Sequence, residues 1–330
     1  MKLLGTQNLS LYNRADFNER AGYTNIRIPG ILSFPDGTVL CCYECRRGGD
    51  WSAIDIGMQK SRDFGKTWSS TNVVVSGKGR NAMNNPLLIA DGNHLFFFYC
   101  ENYKRLFYCE SENAGDSFSP PIELTQVIEA LTEDSFWSVL AVGPGHGISL
   151  KDHSLIIPMW FALNRNDFFS HHPSLIRVLK KNPDGAWSLS APIGANILQD
   201  PSECCIAQGA DGSIILNIRN ENTPHRRALS VSTDNGTSWS EPVFNESLSD
   251  PVCCAGLCDY DNMLLFSNCH SENNRENLTL FRIDGSGQLT DRLLISANAG
   301  YSDVCAIPLN HTALVAYENK GDITIAEVAL

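Results

Sequence analysis

Arginines and carboxylates recur together along this chain, and most of the chemistry open to it involves them. Glu44-Cys45-Arg46-Arg47 runs into the loop Gly48-Gly49-Asp50-Trp51. Further along stand Arg27, Ser202-Glu203, Arg219, Arg275-Glu276, Gly300-Tyr301-Ser302-Asp303 and Tyr317-Glu318. The planar fork of an arginine fits a carboxylate in two parallel hydrogen bonds. An aspartate on a glycine-rich loop, as Asp50 is, can be brought to the rim of a pocket, where a carboxyl gives and takes protons. Taken singly, each of these residues has a plainer use: a surface salt bridge for an arginine, a turn cap for Asp50, a satisfied core hydroxyl for a tyrosine. Metal chemistry has less support. The eight histidines show no ligand spacing, and no C-x-x-C pairs with a second such motif or with spaced histidines.

These residues are spread from position 27 to 318, so the elements that position them must bring distant stretches of chain to one place. Internal repeats suggest how. Ser61-Arg62-Asp63-Phe64-Gly65-Lys66-Thr67-Trp68 has a close copy at Ser232-Thr233-Asp234-Asn235-Gly236-Thr237-Ser238-Trp239 and a degraded one at Ser111-Glu112-Asn113-Ala114-Gly115-Asp116-Ser117-Phe118. Weaker turns occur at Asp184-Gly185 and Asp284-Gly285. In S-x-D-x-G-x-T-W the glycine supplies a positive φ, the aspartate caps backbone amides, and the tryptophan packs the hairpin on its own sheet. A second set of turns (36-37, 91-92, 152-153, 211-212, 261-262 and 310-311) each precedes a β-rich run such as His94-Leu95-Phe96-Phe97-Phe98-Tyr99 or Met263-Leu264-Leu265-Phe266. Six such units of about 50 residues predict a six-bladed β-propeller with Asp-box turns. The innermost strands of a propeller converge on one axial face, which would gather the scattered residues. No linker or composition shift divides the chain, so residues 1–330 read as a single domain.

Composition narrows the partners. Apolar residues make up 43% and charged residues 19%, enough for a buried core. The net charge of −12 repels nucleic acid and anionic membrane surfaces, while leaving room for a small anion at a locally basic site. No run of 18 apolar residues spans a bilayer, and the N-terminus lacks a signal-like apolar run, which predicts a cytoplasmic protein, with a secreted form whose signal has been removed as the alternative. The twelve cysteines include the adjacent pairs 41-42, 204-205 and 253-254, whose side chains alternate along a strand; they read as buried free thiols.

In this order, the motifs resemble the sialidase (neuraminidase) family of glycoside hydrolases. Asn25-Ile26-Arg27-Ile28-Pro29 is similar to its Arg-Ile-Pro signature, followed by the Asp boxes, by Gly143-Pro144-Gly145, by Ser202-Glu203, by Leu216-Asn217-Ile218-Arg219, by Arg275-Glu276-Asn277-Leu278 and by Gly300-Tyr301-Ser302-Asp303. The resemblance covers about residues 22 to 320, and the ordered combination is far more specific than any one tripeptide.

The resemblance implies a six-bladed propeller that cuts terminal sialic acid from glycans, with sialylated glycans as partners and neither metal nor cofactor. Arg27, Arg219 and Arg275 would clamp the substrate carboxylate, and Arg46, rather than its neighbour Arg47, would sit near Asp50 and meet ring substituents. Tyr301 would be the nucleophile. A free phenol titrates near 10, so it needs a base, and Glu203 is placed to be one. Asp50 would be the acid/base, with Asp55, expected on a strand, its nearest competitor. Glu318 would hold Arg27 by an ion pair. Asn85 and Trp137 resemble segments that line the pocket around the N-acyl and glycerol arms. A transferase variant, or a propeller that binds sialic acid without cutting it, would share most of these residues; a lectin, however, has no need of a nucleophile.

Overall fold

The computed structural model describes residues 1–9, 22–133, 136–167, 169–222, 224–285 and 287–330. Six sheets, antiparallel apart from one short parallel pair in the second, form the blades of a β-propeller. In each, the chain enters along the innermost strand and works outward. The innermost strands are Asn25–Ser33, Met83–Asp91, Val139–Val142, Pro201–Gln208, Gly256–Tyr260 and Ser302–Ile307 for blades 1 to 6.

Both sets of turns fall where this architecture requires them. The Asp-Gly and Asn-type turns join first to second strands, and the Asp boxes join third to fourth strands in blades 1, 2 and 4. The weaker turns near 184 and 284 do the same in blades 3 and 5. Blade 6 has no such box for a topological reason. Its fourth strand is the N-terminal segment Lys2–Asn8, which pairs with Asp322–Ala329 and closes the ring.

Strands sandwiched between neighbouring blades are buried on both faces and mostly apolar. Val39–Arg46 and Leu155–Ala162 are buried throughout, and each fully buried Leu, Ile or Phe there contributes about 1.5–3 kcal/mol. The paired cysteines follow the pleat: Cys41 and Cys42 enter different core clusters, as do Cys204 and Cys205. All twelve thiols are free and buried.

One end of the propeller departs from regular strands. Pairing shifts register between Arg27 and Gly30, between Asn84 and Leu87, and between Pro201 and Cys204. Ile28 (φ 60°), Asn85 (φ 51°) and Asp200 (φ 54°) adopt left-handed backbone at or beside these bulges. Bulges re-aim side chains, and a β-branched residue at positive φ, such as Ile28, persists only where its surroundings impose it.

Candidate active site

At that bulged end, three guanidiniums close on one phenol. Tyr301 immediately precedes the innermost strand of blade 6 and is buried. The Cζ atoms of Arg27, Arg219 and Arg275 lie 5.2, 5.7 and 5.0 Å from the centre of its ring. Arg27 comes from the innermost strand of blade 1 and Arg219 from the second strand of blade 4 (Ile214–Asn220). Arg275 sits just ahead of the third strand of blade 5 (Glu276–Ile283).

Two of these cations are held by acids. Arg27 donates from Nε and Nη2 to both oxygens of Glu318, at 3.0 and 3.2 Å. The same carboxylate accepts the amides of Ile28 (3.0 Å) and Tyr301 (3.2 Å), so Glu318 ties blade 1, the nucleophile candidate and blade 6 together. It approaches so closely that a Cβ at position 300 would collide with it, which explains Gly300. Arg219 is ion-paired to Glu203 through Nη1 and to Glu221 through Nη2 at 3.2 Å.

Tyr301 and Glu203 share one nitrogen. Arg219 Nη1 donates to Glu203 Oε2 and also to the phenol oxygen, at 2.7 Å. Burial pushes the Tyr301 phenol well above its ordinary value; Arg219 and Arg275 pull it down and Glu203 pushes it up, without reversing that direction. The phenol is therefore protonated at neutral pH in the free protein, with Glu203 beside it on the same guanidinium nitrogen. Asp50 is in contact with Arg46 Nη1 and lies 3.7 Å from Arg27 Nη1, its side chain 43% exposed. Burial by itself raises the Asp50 carboxyl, but Arg46 and Arg27 together outweigh this and hold it below the usual aspartate value.

Arg46, Glu318, Glu203, Asp50 and the three clustered arginines thus meet at one place. Arg47 does not join them: it stacks on Tyr23 (4.5 Å) and pairs with Asp55 at 2.8 Å. Asp55 lies on a strand, as expected, and is engaged by Tyr23 and by the amide of Gly77 at 2.7 Å. Asn85 is not brought to the pocket. It is buried, and its amide donates to the Val142 carbonyl at 3.0 Å. Its neighbour Asn84 instead reaches the Asp50 carbonyl (3.4 Å), its own buried Oδ1 having no partner among the described residues. Trp137 packs on Phe161 and donates to the Lys104 carbonyl at 3.3 Å, as part of the core of blades 2 and 3. The aromatic group beside Asp50 is a different one: Trp51 contacts Tyr103 (4.9 Å) and Phe169 (5.1 Å).

Two acids with clear roles carry no signal of their own in the motifs. Glu44 is fully buried and accepts Arg46 Nε at 2.6 Å and the Asn85 amide at 2.8 Å. Glu221 is the second acid on Arg219. Each lies two residues from the arginine it holds, the spacing that puts side chains on one face of a strand, and that spacing was the available clue.

Fold and site together define a six-bladed propeller with a tyrosine–glutamate pair inside a cationic pocket. The chain belongs to the BNR repeat-like domain family, which it matches over residues 37–306. It is 25% identical over 89% of its length to a sialidase of Bacteroides fragilis, and 27% identical over 73% to an exo-alpha-sialidase of Arthroderma benhamiae. The chain spans only 60% and 62% of those two relatives. Among solved structures, the Hadza microbial sialidase Hz136 superposes with a TM-score of 0.82 at 24% identity, covering 94% of this chain and 67% of that one.

Proposed function

We propose that the chain is an exo-α-sialidase, releasing terminal sialic acid from glycoconjugates with retention of configuration. The observation that carries this reading is the closure of Arg27, Arg219 and Arg275 on one buried tyrosine. The names of its relatives support it. Sialic acid bears a carboxylate on its anomeric carbon, so a substrate whose carboxylate sat on these arginines would bring that carbon toward Tyr301.

In the first step the phenol oxygen bonds to the anomeric carbon and its proton passes to Glu203. The glycosidic bond breaks, and Asp50 protonates the departing oxygen. In the second step water attacks, Asp50 takes its proton, and Tyr301 recovers its own from Glu203. A neutral phenol suits this substrate, because an attacking carboxylate would be repelled by the sugar's own charge. Sialidases are the tyrosine exception to the two-carboxylate glycosidase scheme. The oxocarbenium-like transition state is stabilised by the carboxylate that the arginines hold in place. Asp50 must be protonated to act, yet its two arginines keep it ionised in the free protein. A bound carboxylate that engages Arg27 and excludes water removes part of that restraint.

Tyr301→Phe and Asp50→Ala should each lower turnover of an aryl sialoside about a thousandfold or more. Near-wild-type rates in either would refute the assignment. Mass spectrometry of the products separates release of free sialic acid from transfer to an acceptor sugar.

A further inference from the structure

The three clustered guanidiniums are not held alike. Arg27 and Arg219 each rest on carboxylates. Arg275, among the described residues, makes no ion pair, and its one hydrogen bond runs from Nη2 to the carbonyl of Val252 at 3.3 Å. That carbonyl is presented by an unusual turn: Val252 is β-branched and has φ 59°, a conformation that needs enforcement from outside.

The enforcement comes from a buried ion pair that the reaction does not use. Arg227 and Asp250 are 0% and 1% exposed. A register shift in the pairing of Arg226–Ser232 with Val243–Ser249 places Arg227 at a bulge. Its Nη1 bonds to Asp250 Oδ2 at 3.2 Å and to the Cys253 carbonyl at 2.9 Å. Its Nε and Nη2 bond to the side chain and carbonyl of Asn217 at 2.6 and 3.2 Å. Asp250 Oδ1 takes the amide of Cys253 at 3.2 Å. Both sides of Val252 are thus pinned to the second strand of blade 4, the strand that also carries Arg219.

We infer that Arg227 and Asp250 are positioning residues that fix the Val252 carbonyl as a neutral seat for Arg275, leaving that guanidinium uncompensated to capture the substrate carboxylate. This rests on the sialidase reading. A carboxylate seat would cancel the charge and compete with the substrate; a carbonyl orients the guanidinium and leaves its charge free.

The test is a double-mutant cycle read by titration calorimetry with N-acetylneuraminic acid and its methyl ester. Asp250→Asn should weaken binding of the acid about tenfold, the scale of a displaced charge-assisted bond, and leave the ester nearly unchanged. In an Arg275→Ala background the same substitution should have no further effect. Additive losses, or equal losses for acid and ester, would overturn the inference. If Asp250→Asn does not fold, Arg227→Met with Asp250→Asn removes both charges and leaves neither stranded. Should the wild type bind neither ligand, it is the sialidase reading that fails, and crystal structures of the free proteins then decide the clamp. Movement of Arg275 off the Tyr301 ring in the variant supports it, and an unmoved guanidinium sinks it.

Discussion

The two ends of the propeller use the same residue types to opposite effect. At the Asp-box end, Asp63 accepts the Ser61 hydroxyl (2.8 Å), the Thr67 amide (2.8 Å) and the Thr67 hydroxyl (2.6 Å). Asp234 repeats the pattern with Ser232 and Ser238, and hydrogen bonds from the Ser238 hydroxyl and amide hold its carboxyl down at about 2. Every partner lies within four residues. A cavity of about 1060 Å³ opens at this end, but its lining, which includes Phe34, Phe64 and Asp259, contains none of the clustered arginines. At the other end Glu318 reaches Arg27 across 291 positions, and Glu44 reaches Asn85 across 41. A carboxylate bonded within its own turn shapes that turn and has nothing left for a ligand. Carboxylates bonded between blades hold cations in place for one.

The sharpest way to break this contrast is at Glu318. Glu318→Gln keeps the shape but removes the charge that balances Arg27 and weakens the grip on the amides of Ile28 and Tyr301. We expect kcat/KM on an aryl sialoside to fall about a hundredfold, equivalent to about 2.7 kcal/mol. A loss below threefold would show that the ion pair does not set the site's geometry.

This contrast also explains what was legible in the sequence. The Asp boxes satisfy their own aspartates locally, so each could be read from its spacing, while the six turns that precede β-rich runs set the blade count; blade 6 lacked a box because a distant segment supplies its outer strand. The site was legible only through the ordered resemblance, since nothing local links position 27 to position 318. Asn85 points away from Asp50 and Asn84 toward it, because the bulge between Asn84 and Leu87 alters which side chain turns that way. Trp137 could not be told from a core tryptophan, because an aromatic in a buried blade looks the same in either role.

Glu44 tests whether the contrast extends to a residue that meets no substrate. Burial pushes its carboxyl up even though Arg46 pulls the other way. Glu44→Gln leaves the buried Arg46 dependent on the half-exposed Asp50, which should lower stability by about 2 kcal/mol and, by loosening the contact between Arg46 and Asp50, reduce kcat/KM about tenfold. Urea unfolding and kinetics on the same preparation check both. A stable variant with normal kinetics would make Glu44 dispensable.

At the opposite end the expected effects are smaller and purely structural. Asp63→Ala removes three hydrogen bonds from an exposed turn, comparable to a lost helix cap at about 1 kcal/mol. The melting temperature should drop by about 2 °C, with kcat/KM unchanged. A change in kcat/KM without a change in melting temperature would mean that the two ends are coupled.

The smallest effect belongs to the axis between them. His146 Nδ1 meets Asp303 Oδ2 at 2.9 Å, and the same oxygen accepts the Ile31 amide at 2.9 Å. His146 itself pairs in parallel with blade 2, so the contact joins blades 1, 2 and 6. Burial alone would lower the imidazole's pKa, but the Asp303 charge, its hydrogen bond and a bond to the Leu257 backbone outweigh it, and the net direction is upward. A raised folded-state value means that the stabilisation is fully present below the unfolded value of about 6.5. It is lost as pH climbs through the higher folded value. Melting temperature measured as pH rises above the unfolded value should therefore decline, and His146→Gln should flatten the decline. Parallel pH profiles for the two proteins would show that the axial pair, although it bridges three blades, does not hold them together.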